Sequence, residues 1–178
     1  MNMSEINPLA HEAERIIVFD RGNVRFIYRI AGIVLNQNRV LLQRIESDDF
    51  WFLPGGRARL LEPAKDTLAR EMREELGITV QIERLVWVAE NFFALDRLQY
   101  HELGFYFLIS LPSDCHILGK PGPFTVQDNG VQTTFQWHPL TELATTILYP
   151  SFLRQALPSL PETTQHIVHV DEPFSLGK

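Results

Sequence analysis

Glu71, Glu74 and Glu75 stand three and four residues apart. On a helix such a spacing gathers carboxylates on one face, here within about 100° of arc at 100° per residue. Like charges at these intervals repel by about 0.2–0.5 kcal/mol per pair, and a helix C-terminus is the wrong end for negative charge. A chain that keeps them there calls for a compensating cation. Arg70, one turn before Glu74, offsets part of the repulsion. The cluster also has the oxygen-only chemistry that hard divalent cations prefer. A solvated acidic helix face is the ordinary fate of such a charge run. What weighs against it here is the segment in front, Phe50-Trp51-Phe52-Leu53-Pro54-Gly55-Gly56. An aromatic strand end runs into two glycines, which let backbone approach a ligand closely and leave carbonyls free to face it.

The elements that must hold these groups follow from the surrounding pattern. Pro63 suits a first helical turn and Gly77 a helix C-terminus, so a helix is predicted from Pro63 to Leu76. Leu68, Ala69, Met72 and Leu76 form its packing side. Before it, Phe26–Leu35 and Val40–Arg44 flank the turn-forming Asn36-Gln37-Asn38-Arg39 and read as a hairpin. After it, Val80–Glu90 reads as a strand, Asn91–Leu98 as a mobile aromatic loop and Tyr100–Leu111 as the strongest strand. The glycines and prolines between Gly119 and Pro123 mark Asp114–Gly130 as a surface loop. Phe135-Gln136-Trp137 is expected to be a last strand, followed by helices near Thr141 and Ser151. Residues 1–14 and 158–178 are expected to pack loosely, apart from a short edge strand at Ile167–Val170. Strands on both sides of one central helix, with further helices at the end, give an α+β fold with a mixed sheet flanked by helices.

Counted out, the stretch from Gly56 to Ile78 is Gly56, five residues, Glu62, seven residues, then Arg70-Glu71-Met72-Arg73-Glu74-Glu75-Leu76-Gly77-Ile78. It is similar, without gap or mismatch, to the signature of the Nudix hydrolases, G-x5-E-x7-R-E-U-x-E-E-x-G-U. Seven fixed identities arise by chance about once in 10⁸ starting positions. The resemblance implies an α/β/α sandwich spanning 1–178 as one domain. The activity it implies is hydrolysis, dependent on Mg²⁺ or Mn²⁺, of the diphosphate linkage in a nucleoside diphosphate joined to another group. It further implies that Glu71, Glu74 and Glu75 hold metal with the Gly55 carbonyl as a neutral ligand. In that scheme Arg70 orients the carboxylates, while Glu62 and Gly56 support the loop. The alternative is a nucleotide-binding regulator with little or no turnover. Isopentenyl diphosphate isomerases share the fold but need a cysteine and glutamate constellation that the lone Cys115 does not supply.

Outside the motif, strand alternation puts Glu102 on the face of Tyr100, Gly104 and Tyr106, opposite the largely apolar face that His101 shares with Leu103, Phe105, Phe107 and Ile109. Glu102 is therefore a candidate extra metal ligand or general base, ahead of Asp128, whose neighbours Asn129-Gly130 suggest a turn, with the helical glutamates Glu71, Glu74 and Glu75 the remaining candidates for the base. Arg44, ending a strand, and Arg59, where an acidic residue is common in the family, are candidate phosphate contacts. Leu61 stands where the family often has glycine. Phe92, Phe93 and Tyr100 are candidates to stack on a base, and His166 and His169 are too isolated to suggest a metal site. The subclass markers for ADP-ribose and dinucleoside-polyphosphate hydrolases are both missing.

Composition sets the outer bounds. With 178 residues, 45% of them hydrophobic, the chain suits one well-buried core. A net charge of −6 argues against a grip on long nucleic acid, though a bound metal can reverse the local field for a polyphosphate. One cysteine excludes an intrachain disulfide and leaves no closed zinc site. No leader and no membrane-length apolar run is apparent, so the expectation is a cytoplasmic protein, with homodimerisation permitted.

Overall fold

A computed structural model of the chain describes residues 15–120, 122–128 and 130–172. Among them, nine strands form one mixed sheet. Strands β1 (Val18–Arg21), β2 (Val24–Asn36) and β3 (Arg39–Ile45) are followed by the short β4 (Gly55–Arg57) and helix α1 (Ala64–Leu76). Then come β5 (Gln81–Leu95), β6 (Leu98–Ser110), β7 (Phe124–Asp128) and β8 (Val131–Pro139). A 3-10 helix (Leu140–Thr145), helix α2 (Leu153–Ala156) and β9 (Gln165–Val170) complete the chain. The main path runs β7-β8-β3-β2-β6-β5-β9, with β1 and β4 both paired to β2. β2–β6 and β5–β9 are parallel and the other pairs antiparallel.

The sheet is covered on both faces. Ile30, Val34, Phe107 and Ile109 meet Leu68, Met72 and Leu76 of α1 on one side. Ala31, Ile33, Val86 and Trp87 meet Leu143, Leu153 and Leu157 of the C-terminal helices on the other. This is the α/β/α arrangement expected. It follows from period two: successive residues of β2 feed alternate faces, and both are apolar at its C-terminal half.

The helix behaves as its caps dictate. Pro63 precedes it in extended conformation, and Gly77 closes it at φ 67°, where the left-handed region favours glycine. The Gly77 and Ile78 N–H groups return to the carbonyls of Arg73 and Met72.

Two segments depart from the sequence reading. Residues 91–98 are not a mobile loop: β5 runs on to Leu95 and β6 begins at Leu98. Asp96 and Arg97, both at positive φ, make the tight turn between them. Phe93 stacks on Tyr100 with ring centroids 4.6 Å apart, a cross-strand aromatic pair that propensity read one residue at a time does not reveal. The loop assigned to 114–130 contains β7, whose Phe124 stacks on Phe135 of β8. The run Gly119–Pro123 masked it, although an edge strand that alternates inward Phe124 and Val126 with exposed Thr125 and Gln127 after a Gly-Pro cluster breaks no rule. The short edge strand expected at Ile167–Val170 is β9, which begins two residues earlier at Gln165 and lies in parallel register with β5 from Trp87↔Gln165 to Phe92↔Val170.

β2 pairs with β3 only at Leu35–Asn36, after which β3 leaves towards β8, and β4 takes the place beside β2 at Arg29–Ala31. The opening between β3 and β4 is a cleft.

Candidate active site

The cleft has two compartments. One, of about 330 Å³, is lined by Gly55 and Gly56 of β4, Glu71 and Glu75 of α1, Arg59 and Gln43. The second, of about 430 Å³, is lined by Phe50, Phe93, Tyr100, Tyr149, Asn91 and Glu102 among others. Arg29, Ile45, Phe52 and Arg57 border both.

The acidic side is held by Arg70. Its guanidinium donates from Nε and Nη2 to the two oxygens of Glu62 at 2.8 and 3.0 Å. From Nη1 it donates to Glu71 Oε1 at 2.6 Å and to Glu74 Oε2 at 2.9 Å. Thr67 Oγ1 adds a hydrogen bond to Glu62 Oε2. The planar fork suits this task, since charge-assisted bonds in fixed directions set where each carboxylate points. The Arg70 hydrogen bonds, helped by Thr67 and opposed by burial, hold the Glu62 carboxyl below its ordinary value. Burial pushes that of Glu71 up, against the pull of Arg70.

Each glycine has a distinct geometric reason. Gly55 sits at φ +134°, and a Cβ there would collide with the Ile30 carbonyl across the strand pair. At Gly56 a Cβ would fall on the Glu71 carboxyl group, so the missing side chain is the space in which Glu71 lies. Two adjacent glycines thus bring β4 against β2 and the Glu71 carboxylate against β4.

A pair of arginines faces this acidic wall. Arg29 and Arg57 are directly opposite on β2 and β4. Arg29 Nη2 donates to the Leu53 carbonyl at 3.1 Å and stands 3.4 Å from that of Gly55, with its guanidinium over Phe52. Burial, and then the charges of Arg29 and Arg25, lower the pKa of Arg57. Like charges opposite one another destabilise a sheet, and this pair is kept at the floor of a cleft. An anion there would offset the repulsion.

Of the candidates read from sequence, Gly55, Gly56, Glu71, Glu75 and Arg59 share the first compartment. Glu62 and Arg70 stand behind it. Glu74 is bound to Arg70 and lies 3.9 Å from Arg59, with its side chain 44% exposed and outside the compartment lining. Arg44 is not brought to the cleft. On β3 its neighbours Gln43 and Ile45 point inward, so Arg44 points to the opposite face, where it lies over the Trp51 ring beside His138. Glu102 faces the cleft but in the second compartment. It is paired with Asn91 of β5 and Ile27 of β2, on the sheet face away from α1. It is buried, and burial raises its pKa. The side chain of Asp128 lies outside the described residues. His101 and His166 both approach the exposed Glu90, and His169 bonds Ser151 and Asp171.

The residues not anticipated are Arg29, Arg57, Gln43 and Asn91. The available signal was an arginine in the middle of the otherwise apolar strand Phe26–Leu35, and another directly after Gly55-Gly56. Gln43 and Asn91 carried none, because a single amide in a strand is commonplace.

Among the described residues no three His, Cys, Asp or Glu side chains are gathered as around a metal; Glu62, Glu71 and Glu74 turn to Arg70 instead. The donor set nonetheless fits a hard divalent ion. Glu71 and Glu75 carboxylates, the Gly55 backbone and the Gln43 amide line one compartment. Gln43 Oε1 is buried without a hydrogen-bond partner. All are oxygen ligands of the kind Mg²⁺ and Mn²⁺ take.

A mixed sheet between helical layers, with an acidic helix following a Gly-Gly strand end, defines the Nudix class of fold. The chain belongs to the Nudix family: the NUDIX domain model matches residues 26–160. It is 38% identical over 63 residues to a MutT-like protein from Streptomyces ambofaciens, covering 35% of this chain and 41% of that one. It is also 35% identical over 63 residues to a putative ADP-ribose pyrophosphatase YjhB from Bacillus subtilis (strain 168), covering 35% of this chain and 30% of the relative. The matches thus span less than half the length of these curated relatives. Among solved structures, the MutT protein from Bacillus halodurans superposes with a TM-score of 0.58 at 16% identity, over 84% of this chain and 93% of that one. That likeness is one of fold. No helix among the described residues is long and apolar enough to cross a membrane.

Proposed function

We propose that this protein hydrolyses the diphosphate linkage of a nucleoside diphosphate joined to another group, using Mg²⁺ or Mn²⁺. The observation that carries the reading is the Arg29–Arg57 cross-strand pair facing Glu71 and Glu75 in one cleft. Acidic and basic walls at this range suit a ligand that is itself an anion and arrives with a cation. Arg29 and Arg57 bind and orient the diphosphate from the sheet side, and Arg59 reaches it from the rim. Glu71 and Glu75, with the Gly55 carbonyl and Gln43 Oε1, would hold the metal; Arg70, braced by Glu62, keeps Glu71 aimed. A divalent ion in this place supplies shielding of the phosphate oxygens and acidification of water. The proton lost by the attacking water goes to a carboxylate of this compartment, Glu71 or Glu75, and not to Glu102, which lies beyond the arginine pair. Membership of the Nudix family supports the same reading.

The test is turnover of a panel of nucleoside diphosphate conjugates with Mg²⁺, with Mn²⁺ and with chelator, for the native protein and Glu75→Gln. Hydrolysis that needs the metal and drops about 10²-fold or more in the variant is expected. Tight binding of the same compounds without turnover would return the regulator reading. Stoichiometric zinc in protein purified without added metal would contradict the metal assignment.

A further inference from the structure

The second compartment holds polar groups that the hydrolytic scheme does not use. Asn91 and Glu102 are direct cross-strand partners at its floor, 2% and 5% exposed. The Asn91 amide N–H donates to Glu102, and the Tyr106 hydroxyl donates to Glu102 Oε1 at 3.4 Å. Asn91 Oδ1 is left buried with no hydrogen-bond partner. Asp171, also buried there, is fully engaged: its carboxylate accepts from the Ser151 N–H and contacts His169 Nε2. Native chains pair nearly all buried polar atoms, so an unpaired amide oxygen on a side chain that lines a cavity points to a ligand's donor.

The walls point the same way. Phe93 and Tyr100, stacked on each other, form one side, and Phe50 packs edge-on to Tyr149 at 5.4 Å on the other. Beyond the bordering Arg29 and Arg57, the charged residues lining the space are Asp48, Asp49, Glu102, Asp171 and Glu172, all acidic. A second phosphate or a carboxylate would be repelled there, whereas a flat group with N–H at its edge finds apolar walls and acceptors. About 430 Å³ suits a group of nucleoside size.

We propose that Asn91 and Glu102 make this compartment selective for an amino-substituted base: a heterocycle, such as adenine or cytosine, that presents an exocyclic NH₂ to Asn91 Oδ1 and the Glu102 carboxylate. The inference rests on the diphosphate reading above, because the arginine pair between the compartments fixes which end of the ligand enters. Hypoxanthine and uracil, which place a carbonyl where the amine would be, leave Asn91 Oδ1 and Glu102 facing another acceptor.

Calorimetric titration of the whole protein in chelator with ADP against IDP, and CDP against UDP, isolates that edge, since each pair shares its diphosphate. The amino member of each pair is expected to bind tighter by about tenfold or more. Asn91→Leu is expected to bring the ratios towards one while thermal unfolding shows it folded. The native ratios alone decide the question if that variant does not fold. Equal affinities, or preference for IDP and UDP, would overturn the base selectivity and leave the hydrolase reading standing. If no diphosphate binds and no conjugate is turned over, both fall.

Discussion

Replacing Gly56 with alanine separates the architecture of the site from the stability of the fold. The backbone at Gly56 is ordinary strand, but the new methyl group would occupy the position of the Glu71 carboxyl. Glu71 is the end of a flexible side chain and can yield. In doing so it gives up its 2.6 Å bond from Arg70 in a setting where both side chains are only 15% exposed. Losing one charge-assisted hydrogen bond costs about 1.5–3 kcal/mol, and the stiffer unfolded chain returns about 0.4–1 kcal/mol. The net destabilisation is therefore about 1–2 kcal/mol. Activity is expected to suffer more, because displacing a reacting-site group by about 1 Å costs about 10²-fold. Gly55→Ala is the contrasting case. Its Cβ would meet the backbone carbonyl of Ile30 at φ +134°, which no rotamer relieves, so β4 would separate from β2 at a cost of about 3 kcal/mol or more. Urea denaturation alongside kcat/KM on whichever conjugate is turned over measures both quantities. Gly56→Ala keeping kcat/KM within about threefold would refute the reasoning, since Glu71 would not then need its place. So would a Gly56→Ala that unfolds as readily as Gly55→Ala.

Two further outcomes follow from Arg70 and its partners. Arg70→Lys keeps the charge but loses the fork, so metal-free stability is expected to fall by about 1–3 kcal/mol, with loss of kcat rather than a rise in KM alone; unchanged kinetics would show that the three carboxylates need no aiming. The Glu62 carboxyl is held below its ordinary value of 4.5 by Arg70, then Thr67, so its stabilisation is present above pH 4.5 and is lost as pH falls through the lowered value. Glu62→Gln should accordingly be less stable at pH 7 by about 1–2 kcal/mol and converge with the native protein in acid; a constant gap across the titration would exclude this ionic role.

The acidic helix, its two termini and the Gly-Gly turn were legible in the sequence because each depends on neighbours within four residues. Period-3.6 packing positions, a proline at the start, a glycine at the end and carboxylates three and four apart are local facts, and the structure keeps them within a residue. The aromatic hairpin was misread for the complementary reason. Asn91–Leu98 extends as two strands because Phe93 and Tyr100 stack across a turn at Asp96-Arg97, and β7 and β9 exist because partners far along the chain accept their hydrogen bonds.

The site shows the same division. Alternation placed Glu102 and Gly104 on one face correctly, yet only the way β3 departs from β2 and β4 replaces it decides that this face opens on the second compartment while α1 lies behind the other. For Arg44 the same geometry turns a strand-end cation away from the cleft by one residue, and it brings in Arg29 and Arg57, some 28 positions apart in sequence and opposite one another in register. Which carboxylates a helix presents is settled by its own 3.6-residue period. What they are presented to depends on strand pairings closed over long loops, whose free energy belongs to the whole fold.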